Sequence, residues 1–210
     1  EQPSPDGLAQ ALIIAENFLD GAPSVLILGD NIFYGNKLSE KLISANNNNS
    51  KTTLFAYHVN DPERYGVVSF DKKFNATHLE EKPKKPKSNF AITGLYFFDQ
   101  NAPKYAKKLK PSKRGELEIT DLNKSYLKED LLCYSELDSH FAWFDTGNPD
   151  EMFAASMYVK SIQDRTQTMI GCIEGEAYRE GFIGRDELSK IKDKMPSCQY
   201  KTNLTMSYLI

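Results

Sequence analysis

Val25 to Gly35 reads VLILGDNIFYG, an apolar run that ends on a glycine and a carboxylate. A short continuous run such as SVLIL, bounded by turn residues, reads as a strand buried on both faces, as in a parallel sheet. Asp30 then falls where that strand should end. A charge beside a buried strand is costly unless something offsets it. The candidates are a basic side chain, a bound cation, or water at an open strand end.

The surrounding pattern supports an α/β reading. Leu8, Leu12, Ala15 and Leu19 recur at helical spacing, so residues 5–20 read as a helix with Ser4 and Pro5 at its start. Residues 37–45 return to a helical pattern, the Asn-rich residues 46–50 read as a polar loop, and residues 52–59 read as a second strand. Alternating helices and strands are the mark of an α/β sheet. The middle of the chain is richer in strands. YGVVSFD and THLEEKP flank a hairpin turn at DKKFN, and AITGLYFFD follows. Residues 101–109 and 117–128 read as helices, and LLCYSEL and HFAWFD as strands. In GNPDEMFAASMYVKSI, Asn148 suits a helix cap, Pro149 the first position, and Asp150 and Glu151 the positive end of the dipole. Beyond residue 165 the chain is polar and helical in tendency, with glycine breaks at 181 and 184.

A chain of 210 residues can bury a substantial core. A net charge of −3 creates no global field for nucleic acid or an anionic membrane, so neither is expected as a partner. Cys133, Cys172 and Cys198 lie far apart without C-x-x-C spacing, which reads as reduced thiols in a cytoplasmic protein. No apolar run reaches membrane-spanning length and no signal peptide is visible.

Several residues could carry chemistry. Asp145, in WFDTG, is a second carboxylate at a strand end, and ligands of open α/β sheets bind at such ends. With Asp30 it could hold Mg²⁺, a hard cation that takes oxygen ligands. By pattern alone, Asp145 also fits a turn and Asp30 a carboxylate bonded to backbone. Lys82 and Arg114 could each hold a phosphate, the first as a point charge and the second as a fork. EKPKKPKS alone also fits a solvated loop, and Trp143, the one tryptophan, also fits a core residue. His58, His78 and His140 show no pairing that suggests a nucleophile.

Taken in order, EQPSPDGLAQA, LGDNIFYG, RYGVVSFD, LEEKPKKPKSN, AITGLYFFD, RGELEITDLN, WFDTGNPDEM and EAYREGFI resemble the glucose-1-phosphate thymidylyltransferase branch of the sugar-nucleotidyltransferase family. The resemblance spans essentially the whole chain. It implies a Rossmann-like mixed sheet with helices on both faces, of the nucleotide-diphospho-sugar transferase type, and a small helical C-terminal tail. Residues 1–165 would form the core and 166–210 a tail for subunit contact and regulation. The implied reaction joins glucose 1-phosphate to dTTP, giving dTDP-glucose and pyrophosphate. Asp30 and Asp145 would hold Mg²⁺ and, with Lys82 and Arg114, form the catalytic set. Gln2, Gly7 and Leu8 would contact the nucleotide, with Asp30 reaching its phosphates through the metal. Tyr65, Gly66, Glu81, Gly94 and Trp143 would line the sugar pocket, and Lys82 and Arg114 would clamp the sugar phosphate. Tyr34, Gly35, Glu174 and Arg179 lie in segments resembling a feedback site for dTDP-sugars. The resemblance further implies a homotetramer.

Two departures accompany the resemblance. The family's glycine-rich loop and first strand precede this sequence, which does not begin with Met, so the N-terminal part of the fold is expected to be missing and the chain alone to lack transfer activity. Gly175 and Glu176 stand where the family has an acidic and then an apolar residue, which bears on regulation. Three alternatives remain open: a UTP-, CTP- or ATP-using relative, an inactive remnant that binds sugar nucleotide or a full-length subunit, and a metal-dependent glycosyltransferase, which the lack of a D-x-D pair disfavours.

Overall fold

The structure is a computed structural model describing residues 1–48 and 50–210, and it divides into two compact units, Glu1–Asp145 and Thr146–Ile210. In chain order the first unit contains α1 (Gln10–Ile14), α2 (Glu16–Leu19), β1 (Ser24–Ile27), β2 (Asn31–Gly35), α3 (Leu38–Asn47), β3 (Thr52–His58), β4 (Gly66–Phe70), β5 (Ala76–Glu81), β6 (Phe90–Phe98), α4 (Ala102–Ala106), α5 (Ile119–Lys128), β7 (Leu132–Leu137) and β8 (Phe141–Asp145). The second contains α6 (Pro149–Thr166), α7 (Ile173–Arg179), α8 (Arg185–Lys194) and α9 (Gln199–Tyr208).

The main sheet runs β5-β4-β6-β3-β7 and is mixed: β3 pairs parallel with β7 and antiparallel with β6. The long β6 organises it. One edge of β6 carries β3, while the other is shared by β4 near Phe90 and Ala91 and by β1 at Leu95–Phe98. Side chains alternate across the sheet because successive residues of a strand face opposite ways. Leu54, Ala56, Val68, Tyr96 and Phe98 pack with Leu12 of α1, Ala102 and Ala106 of α4, and Leu122 and Tyr126 of α5. Phe55, Leu95 and Leu137 turn to the opposite face and meet Ala45 of α3 and Phe141 of β8. Helices therefore cover both faces, as the resemblance implied.

The β1 segment departs from the expectation of a strand buried on both faces among parallel neighbours. It pairs antiparallel with β6, and among the described residues that is its one paired edge. Leu26 and Leu28 turn to the core, whereas Val25 and Ile27 are 46% and 59% exposed. A uniform apolar run thus splits into an inward and an outward set, because only one face of the strand is packed.

The expected helix over residues 5–20 begins later and is broken into α1 and α2. Gly7 adopts φ +106°, and the backbone around it bonds to Leu117 instead of continuing a helix: Leu117 N–H donates to Asp6 O at 2.7 Å and Ala9 N–H to Leu117 O at 3.2 Å. Asn46 and Asn47 extend α3 into the expected polar loop, and position 49 of that stretch lies outside the described residues. Apart from β2, the elements of the first unit otherwise form where periodicity and turn residues place them. Asp71 closes the DKKFN turn, its side chain accepting from the N–H groups of Lys73 and Asn75.

In the second unit, Asn148 caps α6 by accepting the Glu151 N–H at 3.0 Å, and Pro149 occupies its first turn. Met169, Cys172, Leu188 and Leu204 form a small core shared by the segment before α7 and by α8 and α9. Cys133, Cys172 and Cys198 are all free thiols. No helix among the described residues is long and apolar enough to cross a membrane.

Candidate active site

NIFYG, directly after Asp30, is a strand that pattern reading had not assigned. As β2 it pairs antiparallel with β8 in the register Asn31↔Asp145, Ile32↔Phe144, Phe33↔Trp143. Asp30 precedes the first residue of β2, and Asp145 is the last of β8. The two carboxylates, 115 positions apart in sequence, therefore leave the same end of one ribbon. Both line a cleft of about 520 Å³ in the first unit, together with Leu8, Tyr65, Gly66, Glu81, Lys82, Gly94 and Trp143.

Asn31 joins the two sides of this cleft. Its Oδ1 accepts the Trp143 indole N–H at 2.7 Å and the Gly94 backbone N–H at 2.9 Å, and its Nδ2 donates to Asp30 Oδ1 at 2.9 Å. Trp143 is buried and also lines the cleft, so core residue and pocket wall are one role here. Its ring lies 5.1 Å from Tyr65 and 5.9 Å from Tyr57. Arg64 stacks over Tyr65 at 5.2 Å and lines the same wall.

On the other side, Gly66 faces Glu81 across β4 and β5. The Thr120 hydroxyl donates to Glu81 Oε2, which fixes that carboxylate toward the cleft. A β-carbon on Gly66 would stand 2.8 Å from the Thr120 hydroxyl and 3.3 Å from Glu81, so only glycine leaves this pair in place. Lys82 follows with φ +42°, a conformation that L-residues seldom adopt, and its N–H bonds Tyr65 O at 2.9 Å. That turn takes the chain off β5 beside the cleft. Tyr96 is buried beneath; burial first, then the charges of Glu81 and Asp145, push its hydroxyl well above the ordinary tyrosine range. It stays protonated at neutral pH.

Arg114 and Gln2 are not among the residues lining the cleft. The Arg114 fork grips Glu118, with Nη2 2.7 Å from Oε2 and Nε 3.1 Å from Oε1, and its Nη2 lies 3.4 Å from Glu116 and 3.7 Å from Glu81. The hydrogen bond to Glu118 is the main reason its guanidinium is held above its ordinary pKa. Burial pushes the Glu118 carboxyl up, but Arg114, the Ser112 hydroxyl and the charge of Lys82 outweigh it and hold the group low. Gln2 bonds Gln10 Oε1 at 2.7 Å and Gly7 O at 3.4 Å. A β-carbon at Gly7 would meet the Leu117 backbone at 2.5 Å, so the close approach that seats Leu8 at the cleft requires glycine.

Gly35, at the far end of β2, packs against the Phe141 ring, and Tyr34 beside it is half-buried. In the second unit Glu174 accepts the Tyr200 hydroxyl at 2.5 Å, and Arg179 pairs with Glu176. Gly175 lies against Tyr208, which leaves no room for a β-carbon.

Asp30 and Asp145, with open cleft for water and phosphate oxygens, make a hard-oxygen donor set suited to a divalent cation that completes its shell with substrate. No cluster of three or more His, Cys, Asp or Glu among the described residues has the arrangement of a metal cage. Sequence reading missed Asn31, Arg64, Tyr96 and Thr120. Asn31 stands beside Asp30 in the very motif that was read. The other three are ordinary residues of a turn, a strand and a helix start, and their roles arise from contacts distant in sequence.

Residues 1–162 match the family model for nucleotidyl transferases. The chain is 46% identical over 199 residues to a glucose-1-phosphate thymidylyltransferase of Neisseria meningitidis, covering 95% of this chain and 69% of that one. It is 47% identical over 206 residues to the enzyme of that name from Neisseria gonorrhoeae, covering 97% and 72%. A crystal structure from Bacillus anthracis, described as a glucose-1-phosphate thymidylyltransferase in complex with a sucrose, superposes with a TM-score of 0.65 at 40% identity, covering 72% of this chain and 60% of that one. A UDP-glucose pyrophosphorylase complexed with UDP-glucose superposes with a TM-score of 0.66 at 20% identity, which shows a shared fold.

Proposed function

This chain belongs to the nucleotidyl transferase family, and from that membership we propose that it joins glucose 1-phosphate to dTTP, yielding dTDP-glucose and pyrophosphate. The observation that carries the reading is the meeting of Asp30 and Asp145 at one ribbon end, in the same cleft as Glu81, Lys82 and Trp143.

A phosphate oxygen of glucose 1-phosphate attacks the α-phosphorus of dTTP. A new P–O bond forms as the bond to the β-phosphate oxygen breaks, and pyrophosphate leaves in line. The protein's work is to align two anions and to offset their charge. Lys82 meets the sugar phosphate as a point charge. Arg114 supplies a fork that a phosphate must draw from Glu118, an exchange of one anion for another. Glu81, held by Thr120, accepts sugar hydroxyls, while Tyr65 and Trp143 present ring faces to the C–H side of the pyranose. Gly66 and Gly94 let the sugar approach the backbone. Gln2, Gly7 and Leu8 contact the nucleoside. Asp30 and Asp145 would hold Mg²⁺, which when bound would offset charge on the nucleotide phosphates.

The same resemblance supports a homotetramer, a cytoplasmic location, a feedback role for dTDP-sugar involving Tyr34 and Gly35 in the first unit and Glu174 and Arg179 in the second, and residues 166–210 as the part for subunit contact and regulation. The test is pyrophosphate release from dTTP, glucose 1-phosphate and Mg²⁺, compared with the same protein carrying Asp30→Ala and Asp145→Ala. Release that the double variant lacks supports transfer and the metal assignment, and overturns the expectation that this chain alone is inactive. Release unaffected by the double variant overturns the metal assignment. No release, with dTDP-glucose still bound, favours a sugar-nucleotide-binding role for this chain over transfer.

A further inference from the structure

The orientation of the Asn31 carboxamide is dictated by its neighbours. Two N–H donors, the Trp143 indole at 2.7 Å and the Gly94 amide at 2.9 Å, converge on one end of it. That end must be the oxygen, since a flipped amide would turn its own N–H groups onto two donors. The NH₂ is thereby aimed elsewhere, and its partner is Asp30 Oδ1 at 2.9 Å. Asn31 is also the register partner of Asp145. One side chain therefore links the aromatic wall of the sugar pocket to one metal-binding carboxylate, on a residue whose backbone faces the other.

We propose that Asn31 is a positioning residue that couples the seating of Trp143 to cation binding at Asp30. With the indole N–H on Oδ1, the amide is locked and its N–H fixes the rotamer of Asp30. With the indole displaced, one of the two groups that lock the amide is lost and Asp30 is less well held. The coupling is reciprocal by linkage: whatever fixes Asp30 also holds the indole hydrogen bond. The inference rests on the metal reading above, and the experiment separates the two.

Mn²⁺ alone serves as the probe, its free signal read by electron paramagnetic resonance on the whole chain without substrates. Five proteins are compared: the unsubstituted chain, Trp143→Phe, Asn31→Leu, those two substitutions together, and Asp30→Ala with Asp145→Ala. Trp143→Phe keeps an aromatic ring but loses the donor. It is expected to weaken Mn²⁺ binding roughly threefold to fivefold alone and not at all on top of Asn31→Leu, the non-additivity that marks a shared path. Equal factors in both backgrounds, or no effect of Trp143→Phe alone, overturn the coupling. Mn²⁺ binding that survives Asp30→Ala with Asp145→Ala, or no binding to the unsubstituted chain, overturns the metal reading itself and the inference with it.

A second measurement needs no variant. Trp143 is the sole tryptophan, so its indole N–H gives one proton resonance. Saturating Mg²⁺ is expected to slow the solvent exchange of that proton at least twofold. Unchanged exchange with the cation bound overturns the coupling.

Discussion

Gly94 stands directly against Asn31: a β-carbon there would lie 2.7 Å from the Asn31 side-chain oxygen and carboxamide carbon. The obstructing atoms end a rotatable side chain, so Gly94→Ala would displace the amide and leave the sheet paired. Overpacking of this kind costs about 1–3 kcal/mol. The expected outcome is a folded protein whose kcat/KM for transfer falls roughly tenfold or more, about 1.4 kcal/mol of lost transition-state stabilisation. Steady-state kinetics beside thermal melting would check it, and unchanged kinetics would show that the placement of Asn31 is irrelevant.

The hydroxyl of Thr120 matters to Glu81 rather than to the fold. Thr120→Val keeps the shape and removes the donor, leaving a part-buried carboxylate one bond short. Loss of one hydrogen bond to a charged group is worth roughly 1.5–3 kcal/mol. We expect the KM for glucose 1-phosphate to rise about tenfold or more while the KM for dTTP changes little. Equal changes in both constants would contradict the sugar-side assignment of Glu81.

Acid should loosen the loop before α5 through Glu118. Its carboxyl is held low in the folded chain, because Arg114, Ser112 and Lys82 outweigh the opposing effect of burial. A carboxyl lowered by folding contributes stability that is complete above its unfolded pKa, about 4.3, and is lost as pH falls through the folded value. Glu118→Gln removes that contribution. Its stability deficit is therefore expected to be largest near neutral pH and to shrink as pH falls below about 4. Urea titrations from neutral to acid pH would show this convergence, and a deficit independent of pH would refute it.

Core truncation should separate the two faces of the main sheet from the site. Phe55 is fully buried on the face covered by α3 and β8. Phe55→Ala is expected to cost about 3–5 kcal/mol of stability. Denaturant unfolding would measure it, and a cost below about 1 kcal/mol would mean that this face is loosely packed.

Much of this protein is written locally. Period-2 runs, the DKKFN turn and the Asn148-Pro149 cap depend on residues within a few positions of one another, and the elements they mark form where expected. The helix expected over residues 5–20 failed for a nonlocal reason: Leu117 claims the backbone around Gly7, and no nearby residue announces it. The burial of SVLIL was misread because an apolar run records what a strand can bury, whereas the neighbours decide which face is packed.

The site divides the same way. Residue chemistry and resemblance to known motifs singled out Asp30, Glu81, Lys82, Trp143 and Asp145, because carboxylates, a cation and a ring carry their chemistry in the side chain itself. Asn31, Arg64, Tyr96 and Thr120 carry theirs in what they touch. By itself, then, the sequence determined most of the elements, the family and the charged groups. The tertiary structure alone decided the β2–β8 register, which brings Asp30 and Asp145 to one end and sets Asn31, bonded through its amide to Trp143, Gly94 and Asp30, opposite Asp145. Hydrogen-bond pairing across a ribbon is set by packing between segments more than a hundred residues apart, and no local pattern specifies it.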